Sequence, residues 1–475
     1  MTKLVFDIEA NTYHLDERLT TIHCLAIVDV DTKESSLYVD NIEEGIDRLN
    51  NADVIIAHNG IKYDIPALQK FYPQFNPKGI IRDTVIMSRL YRPKWYVHGL
   101  DAWGKRLNFK KGDYAERFKK NAGDSYTAGD EWLTYNSDMG SYCVRDCVVN
   151  RRVYLECLKG IPYFYNKEAL EIEQYTTWLM EKQKAYGVWF DYDKALMLYD
   201  ELMTKKENLE GELRQSFGGF YKPGPEFTPK VNRKDLGYVK DSPMCKLKWT
   251  EFNPGSSDHI TYWFKKKYGW MPEEFTDGGK PKINYDILKD LSNVYPEAWP
   301  LYEYAVVTKR LSMISEGKSS WLKTVTSEGR IHGSVNPQGT VTYRGAHSKP
   351  NLGQIPKVQK GDKANILLGL EGGYGAECRE LFSHGLGPSY TFLGCDMSGI
   401  EFRLLSHYMY QFDDGALVDT VINGDIHSVN QKAAGLPTRD MAKTFIYAFI
   451  YGGGNGKLGS IVGKGRQEGA RLRDK

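Results

Sequence analysis

Short apolar runs dominate the first 160 residues and predict the strands of an α/β domain. Residues 3–6, 23–29, 36–39 and 53–57 have the length and the β-branched content of strands, and the last run ends at the turn signal Asn59-Gly60. Apolar positions at helical spacing follow over about 64–72, 83–91 and 138–158. Alternation of this kind predicts a sheet flanked by helices.

The pattern changes beyond residue 168. Residues 168–216 are charged, and apolar positions such as Ile172, Tyr175 and Leu179 recur at helical spacing, which predicts helix. Residues 217–251 combine glycines, prolines and lysines and predict a loop-rich insertion. Helical patterns return from Asp258 to about residue 325. Residues 330–395 are rich in strand and turn signals, and 397–475 are mostly helical.

The composition of the chain excludes several classes of protein and of site but assigns no function. Hydrophobic residues make up 41% and charged residues 26%, which excludes wholesale disorder. A net charge of +2 gives no electrostatic argument for a nucleic-acid partner. The seven cysteines include no C-x-x-C pair, so we expect neither a disulfide framework nor a zinc site, and a reducing compartment. We expect no signal peptide and no membrane span.

Two acidic residues at the end of the first strand are the first chemical signal. Asp7 and Glu9 stand two residues apart, so the period of a strand places both carboxylates on one face. Like charges this close repel each other unless a cation lies between them. On this pair alone, a metal site and a solvated strand end remain equally open.

Two further acids favour the metal site. Asn59 is followed by Tyr63-Asp64 at a helix start, and Tyr142 and Asp146 lie four residues apart on one helix face. Four acids on three elements are what two Mg²⁺ or Mn²⁺ ions about 4 Å apart require, one to activate water and one to stabilise the leaving oxygen. Tyr142 would orient that water, although a lone aromatic residue is also compatible with core packing.

These segments resemble the three motifs of DEDD-type proofreading 3′→5′ exonucleases, in the subtype with tyrosine in the third motif. Asp7-Ile8-Glu9 matches the first motif, residues 59–64 the second and residues 142–146 the third. The resemblance implies an RNase H-like fold and two divalent ions held by Asp7, Glu9, Asp64 and Asp146.

A second constellation lies near the end of the chain. Arg439, Lys443, Tyr447 and Tyr451 are spaced by four residues and form one slowly drifting stripe on a helix. Two cations followed by two aromatic rings suit a nucleoside triphosphate, with phosphates beside the cations and the base beside the rings. Upstream, an apolar run predicts a strand that ends in Asp396 and presents its carboxylate at the strand tip.

These and neighbouring segments resemble DNA polymerases of family A. The matching stretches are residues 329–336, 340–344, 350–356, 379–382, 392–401, 424–427 and 439–452. The resemblance implies that Asp396 and the Met397 carbonyl bind catalytic metal, that Glu401 excludes a ribose 2′-hydroxyl and that Tyr447 sets discrimination over the sugar 3′-hydroxyl. It also implies nucleotide contacts for His427, Arg439, Lys443 and Tyr451, and DNA contacts for Arg344, Asn351, Gln354, Asn253 and Ser256.

The combined resemblance predicts a right-hand polymerase with a proofreading domain. We expect an α/β exonuclease domain with a mixed sheet over 1–165, a mainly α thumb with connecting helices over 166–328, and an α+β partial palm and fingers over 329–475. The match is nearest to replicative polymerases of short-tailed phages, which implies primer-template DNA and deoxynucleoside triphosphates as partners and the cytoplasm of the infected host as the place of action. The insertion 217–251 is short, which disfavours a thioredoxin-type processivity factor.

The palm of this family takes a second carboxylate from a His-Asp-Glu turn downstream of the fingers helix, and this chain has no such turn after Gly452. We therefore expect a separate polypeptide to supply it, which would make the chain part of a split polymerase. The alternatives are an exonuclease with a vestigial DNA-binding polymerase body, and a non-enzymatic primer-template clamp in which the four acids are coincidental.

Overall fold

A computed structural model describes residues 1–13, 15–160, 166–276, 278–361 and 364–474 of the chain. These residues form two compact units, Met1–Tyr390 and Thr391–Lys475. The predicted domain boundary after residue 165 follows residues 161–165, which lie outside the described part of the chain. In the described residues, no helix has both the length and the apolar character needed to cross a membrane.

The first 160 residues form a five-stranded mixed sheet in the order β3-β2-β1-β4-β5. β1 pairs antiparallel with β2 and parallel with β4, so it lies at the centre of the sheet. Its strands are β1 (Lys3–Ala10), β2 (Ile22–Asp29), β3 (Ser35–Tyr38), β4 (Val54–Ala57) and β5 (Ile80–Asp83). The helices of this part are α1 (Ile42–Asn50), α2 (Asp64–Phe71), α3 (Thr84–Tyr91), α4 (Leu100–Arg106), α5 (Tyr114–Ala122) and α6 (Ser137–Leu158).

The predicted strands and helices of this part agree with the structure to within about two residues, except that β1 extends four residues beyond its predicted end, and β5, α1, α4 and α5 were not predicted. The agreement follows from strong burial: every residue of β2 except the last is buried, and α6 packs against β1 and β2. Cys143 and Cys147 lie on the buried face of α6, so the two cysteines are reduced core residues, as expected.

The insertion predicted to be loop-rich is a β-hairpin. It follows α7 (Lys167–Tyr186), β6 (Val188–Phe190) and α8 (Tyr192–Phe217), and its two strands are β7 (Gly219–Phe227) and β8 (Met244–Glu251). Cross-strand pairs hold it together, and the ladder shifts register between Pro223 and Glu226. Prolines are tolerated there because an isolated two-stranded ribbon leaves its outer N–H positions without a ladder partner. The short strand β6 also interrupts the region predicted to be continuous helix.

A second hydrophobic core is formed by α8 and by the helices that follow the hairpin. Helix α11 packs against α8 and α10, and β6 joins two later strands in a three-stranded sheet of order β12-β6-β9. The remaining elements of this unit are α9 (Ser257–Tyr268), α10 (Tyr285–Ser292), α11 (Ala298–Leu311), a π-helical turn (Ser312–Glu316), α12 (Trp321–Thr324), β9 (Arg330–Ile331), β10 (Ser334–Asn336), β11 (Ala346–Ser348), α13 (Gly375–Glu380) and β12 (Phe382–Ser383).

The second unit is helical, with a small core of its own around Leu436, Phe445 and Leu458. The prediction of a strand that ends in Asp396 is wrong. Residues 391–397 adopt no regular secondary structure and are exposed, and the Leu393 side chain is 95% exposed. An apolar run forms a strand only where a neighbouring strand pairs with it, and the described residues provide none here. The helices are α14 (Ile400–Asp413), α15 (Ala416–Asn423), α16 (Ile426–Ala434), α17 (Arg439–Ile450), α18 (Asn455–Ile461) and α19 (Arg466–Arg473).

Candidate metal centre and nucleotide-binding helix

The end of β1 places Asp7 and Glu9 on one face of the sheet, as the period of two requires. The Cys143 sulfur of α6 lies beside them, and one ligand atom from each of the three residues falls within 4.8 Å of the others. The thiol of Cys143 donates to the Asp7 carbonyl oxygen at 3.4 Å. Burial raises the pKa of Cys143 well above its ordinary value, so this residue packs under the carboxylates as a neutral thiol.

Asp64 reaches the same place from the first turn of α2. Its Oδ1 atom accepts a hydrogen bond from the backbone N–H of Ile8 at 3.3 Å, between the two acids of β1. The turn before α2 is fixed by the buried side chain of Asp83, which accepts from the backbone N–H of Asn59 at 3.0 Å and of Ile61 at 3.2 Å. Asn59 adopts a left-handed backbone conformation with φ 69°. Asp83 is thus a positioning residue that the motif did not indicate.

Asp146 completes the cluster from α6. Its Oδ2 atom forms an ion pair with Lys111 at 2.7 Å, while the buried Oδ1 atom has no hydrogen-bond partner among the described residues. The Lys111 ammonium group also lies 4.7 Å from the centre of the Tyr142 ring. No spacing rule indicates Lys111, because it comes from the loop between α4 and α5, and only the folded chain brings it to the acids.

Burial raises the pKa of all four carboxyl groups, and neighbouring acids of the cluster raise it further for Asp7 and Glu9. The pKa of Asp7 is raised well above its ordinary value by burial and then by the charges of Asp64, Glu9 and Asp146. Burial likewise raises the pKa of Glu9 and of Asp146, and raises that of Asp64 to about 7. The four acids, three of them buried, make one ion pair among the described residues, that of Asp146 with Lys111, so their negative charge is under-compensated. The oxygen-only donor set and the unpartnered Oδ1 of Asp146 fit hard divalent cations.

The cluster forms one wall of a cleft of about 610 Å³. Three further lysines and three further aromatic residues line the same cleft: Lys62, Lys184, Lys349, Tyr13, Tyr63 and Trp132. Cations beside aromatic rings suit the phosphates and the base of a nucleotide. Lys62 and Tyr63 lie inside the second motif, whereas no motif indicated the other four residues, because they come from segments far apart in the chain.

Tyr142 has both of the roles considered for it from sequence. Its ring packs against Tyr114 and Trp132, with ring centroids at 5.8 Å and 6.1 Å, and it also lines the cleft beside Asp146. Burial and then the charge of Asp146 raise the pKa of Tyr142 far above its ordinary value, so its hydroxyl group stays protonated. A rigidly packed phenol can donate to, and accept from, a water molecule at a fixed position.

In the second unit, α17 presents the predicted nucleotide-binding residues opposite its buried face, which carries Ala442 and Phe445. Arg439 makes a bidentate ion pair with Asp425, at 2.7 Å and 2.9 Å, and the Lys443 side chain is exposed. The Tyr447 ring lies 6.0 Å from the ring of His427, which also belongs to the predicted set. These side chains therefore lie on one side of the helix, as their spacing predicts.

The last residue of the stripe connects to the residue predicted to select the sugar. Tyr451 follows the final turn of α17, and its hydroxyl group donates to Glu401 Oε1 at 3.1 Å. Phe402, the neighbour of Glu401, packs against Tyr447 with ring centroids 5.3 Å apart. By contrast, Asp396 and Met397 lie in the exposed irregular segment, where no sheet of the described residues holds the Asp396 carboxylate.

The predicted DNA contacts divide into two groups. Arg344 and Gln354 are exposed, and Asn351 is half-buried beside the short helical turn Leu352–Gln354. Asn253 and Ser256 have local structural roles: Asn253 Oδ1 accepts from the backbone N–H of Gly255 at 2.8 Å, and Ser256 caps α9. Contact of these five residues with DNA stays a prediction.

A sequence model of DNA polymerase family A matches residues 234–475. The DNA-directed DNA polymerases of Escherichia phage T7 and Enterobacteria phage T3 are each 34% identical to this chain, in alignments that include 99% of it and 79% of each relative. The alignments run over 571 and 572 residues and are longer than the chain, because the relatives carry additional residues inside the matched region. DNA polymerase I of Helicobacter pylori is 27% identical over 302 residues, which include 59% of this chain and 31% of that protein.

Among solved structures, the polymerase domain of Pol1 from M. smegmatis, in complex with DNA primer-template and dNTP, is similar in fold. The TM-score is 0.68 at 15% sequence identity, and the match covers 100% of this chain and 71% of that one. The fold of a polymerase body is therefore shared along the described chain. Together with the relatives that span nearly its whole length, this confirms the resemblance: the chain belongs to DNA polymerase family A, with relatives among the polymerases of phages T7 and T3.

Proposed function

We propose that this chain is the DNA-polymerising and proofreading subunit of a phage replication enzyme, acting in the cytoplasm of an infected bacterium. One observation carries the proofreading half: four carboxylates from β1, α2 and α6, three of them buried, meet in one cleft. The polymerising half is supported by relatives that are named DNA-directed DNA polymerases and that match 99% of the chain.

The proofreading reaction is hydrolysis of the 3′-terminal phosphodiester of a DNA strand. Asp7, Glu9, Asp64 and Asp146 would hold two Mg²⁺ or Mn²⁺ ions, which when bound supply an activated water and stabilise the leaving oxygen. Tyr142 orients the attacking water through its protonated hydroxyl group. The lysines of the cleft bind the phosphates of the strand, and the order of the mixed sheet supports an RNase H-like fold for residues 1–165.

For polymerisation, α17 binds the incoming deoxynucleoside triphosphate. Lys443 and Arg439 contact its phosphates together with His427, and Tyr447 and Tyr451 lie beside the base and sugar. Arg439 exchanges its ion pair with Asp425 for the triphosphate. Glu401, held by Tyr451, lies where a ribose 2′-hydroxyl would collide, and Asp396 with the Met397 carbonyl contributes the first half of the palm metal site.

We further propose that a second polypeptide, carrying the His-Asp-Glu palm motif, covers one face of α14. The observation that supports it is an apolar stripe on that helix: Ile400, Leu404, Tyr408 and Phe412 follow one another at intervals of four, and each is between 42% and 75% exposed. An exposed stripe of large apolar side chains indicates a surface that another protein segment covers. An exonuclease with a vestigial polymerase body is the alternative function.

Asp7→Ala tests the proofreading half. We expect degradation of 5′-labelled single-stranded DNA in Mg²⁺ to fall by about a thousandfold or more, since both ions depend on this ligand. Asp124→Ala, which removes an exposed acid outside the cleft, is the matched control and retains full activity. Unchanged degradation by Asp7→Ala rules out the nuclease assignment.

Primer extension tests the polymerising half separately. We expect the chain to extend a primer only when it is purified with a second polypeptide that bears a His-Asp-Glu turn, and Leu404→Asp to release that polypeptide. Extension by the chain alone contradicts the two-chain proposal. If no polypeptide that bears this turn binds the chain, the two-chain proposal is also contradicted.

A further inference from the structure

Helix α7 carries an apolar stripe that the first unit does not bury. The sequence places Ile172, Tyr175 and Leu179 at helical spacing, and in the structure these side chains are 62%, 62% and 42% exposed. Trp178 lies beside them, with its ring centroid 5.5 Å from that of Tyr175. Large aromatic and aliphatic side chains exposed together on one helix are typical of binding surfaces.

Tyr175 and Trp178 border a groove of about 680 Å³ between α7, α2 and β5. Its floor is made by four isoleucines, one from the turn before α2, one from α2 and two from β5: Ile61, Ile65, Ile80 and Ile81. β5 is an edge strand of the five-stranded sheet, and an extended chain can lie along such an edge. The groove therefore offers an apolar floor along an extended backbone.

One buried polar group in the groove has an unmet hydrogen-bonding requirement. Gln174 is 6% exposed, and its Oε1 atom accepts from the backbone N–H of Asp83 at 3.1 Å, which fixes the orientation of the amide. Its Nε2 donor is buried without a hydrogen-bond partner among the described residues. A buried donor without an acceptor is unfavourable, so an acceptor from a bound molecule would stabilise this site.

The charges around the groove indicate what kind of molecule fits. Glu171 is neutralised by an ion pair with Arg82 at 2.5 Å. Lys182 lies over the Trp178 ring at 3.9 Å and, within the described residues, makes no ion pair. The groove thus presents one uncompensated positive charge beside an apolar floor. A nucleic-acid strand requires several cations along its phosphates, so a protein segment with an acidic residue fits better.

We propose that this groove binds an extended segment of a partner protein. A large apolar side chain of the segment packs on the isoleucine floor beside Tyr175 and Trp178. A backbone carbonyl of the segment accepts the hydrogen bond from Gln174 Nε2, and an acidic side chain pairs with Lys182. The partner is a protein with a short acidic and apolar linear segment, bound in the mode in which a strand is added at a sheet edge.

The groove and the carboxylate cleft lie on opposite faces of one turn. Ile61 and Ile65 contribute to the groove, whereas Lys62 and Asp64 line the cleft. The proposal does not depend on the nuclease assignment, because it uses no residue of the cleft. A partner docked here would be held next to the turn that carries Asp64.

A fluorescein-labelled hexapeptide of sequence Asp-Leu-Asp-Phe-Asp-Leu tests the proposal by fluorescence anisotropy with the full chain. We expect saturable binding that weakens by about tenfold in Tyr175→Ser and in Trp178→Ala, and by about fivefold in Lys182→Glu. Gln174→Glu keeps an acceptor for Asp83 but loses the donor, and we expect it to weaken binding by about tenfold. Met197→Ser, at an exposed position of α8, is the matched control and leaves binding unchanged.

Two control peptides separate the contributions, one with lysine in place of each aspartate and one with alanine in place of leucine and phenylalanine. Both are expected to bind at least about tenfold more weakly. Absence of saturable binding up to about 1 mM overturns the proposal, as does binding that Tyr175→Ser and Lys182→Glu leave unchanged. Sedimentation that shows a dimer lost in Tyr175→Ser assigns the groove to a second copy of this chain and also overturns it. Thermal unfolding of each variant verifies the fold. If Gln174→Glu does not fold, Tyr175→Ser and Lys182→Glu suffice for the test.

Discussion

Lys111 Nζ lies 2.7 Å from Asp146 Oδ2, so an ammonium group contacts one of the four acids that would hold metal. Burial acts to lower the pKa of Lys111, but the charge of Asp146 and then those of Asp7 and Glu9 outweigh it and leave the pKa raised. The lysine therefore stays charged and partly compensates the cluster. A divalent ion that uses Asp146 must share that carboxylate with Lys111 or displace it.

Lys111→Met tests this competition, because methionine keeps an apolar chain of similar length without the charge. We expect Mg²⁺ to bind about tenfold more tightly, since one repulsive charge next to the ions is removed. The rise in melting temperature during a Mg²⁺ titration gives the affinity. Lys110→Met, which alters the exposed neighbour, is the control, and unchanged or weaker binding in Lys111→Met contradicts the competition.

Asp64→Asn tests how much the ionised, buried carboxylate of Asp64 lowers the stability of the metal-free chain. The pKa of Asp64 is about 7 in the folded chain and 3.8 ordinarily, so the folded state binds its proton more tightly than the unfolded state does. The free energy of unfolding therefore falls as the pH rises from about 4 to about 7, and stays lowered above that. Asparagine keeps the acceptor for the Ile8 N–H and never ionises.

We expect Asp64→Asn to stabilise the metal-free chain at pH 7.5 by on the order of 3 kcal/mol, and to give no gain at pH 4. Thermal unfolding in a chelating buffer at the two pH values measures the difference. In saturating Mg²⁺ the gain disappears or reverses, because bound cations would stabilise the buried, ionised carboxylate of Asp64 in the parent chain. A variant that is no more stable than the parent at pH 7.5 shows that the carboxylates are not strained.

Tyr451→Phe tests whether the hydrogen bond to Glu401 sustains sugar selection. Without the Tyr451 hydroxyl group, Glu401 loses its 3.1 Å partner and can turn away from the sugar position. We expect the preference for deoxynucleotides over ribonucleotides to fall by about tenfold in single-nucleotide incorporation by the polymerase-competent enzyme. Glu401→Ala should reduce the preference further, and Tyr410→Phe on α14 should not change it. Full selectivity in Tyr451→Phe would assign the hydroxyl group a structural role alone.

Lys222 and Lys248 face each other directly across the β7–β8 hairpin. Like charges in a cross-strand pair are unfavourable. We therefore expect an anion, such as a DNA phosphate, to compensate them in the bound state. We expect Lys222→Gln with Lys248→Gln to weaken primer-template binding and to reduce the slope of log K against log salt by about 0.9 for each DNA phosphate that is no longer neutralised. Fluorescence anisotropy at several salt concentrations measures the slope, with Lys289→Gln and Lys318→Gln as the control pair. An unchanged slope places the hairpin away from DNA.

The sequence predicted side-chain positions well where residues at a fixed spacing lie within one strand or one helix. The two acids of β1, the Tyr142 and Asp146 pair on α6 and the stripe of α17 all lie where their periods place them, because strand and helix geometry is local. The prediction of a strand ending in Asp396 failed because strand formation depends on pairing with distant segments, and residues 391–397 adopt no regular secondary structure.

The sequence by itself indicated the family and named the four acids as candidate metal ligands, since each motif consists of residues close together in the chain. Only the tertiary structure decided that Lys111 meets Asp146, that burial raises the pKa of the four carboxyl groups, and that Gln174 leaves a donor unpaired in a groove of the described residues. It also decided that the stripe of Ile172, Tyr175 and Leu179 is exposed. Helical spacing shows that such side chains share a face, but what covers that face depends on contacts between segments that are distant in sequence.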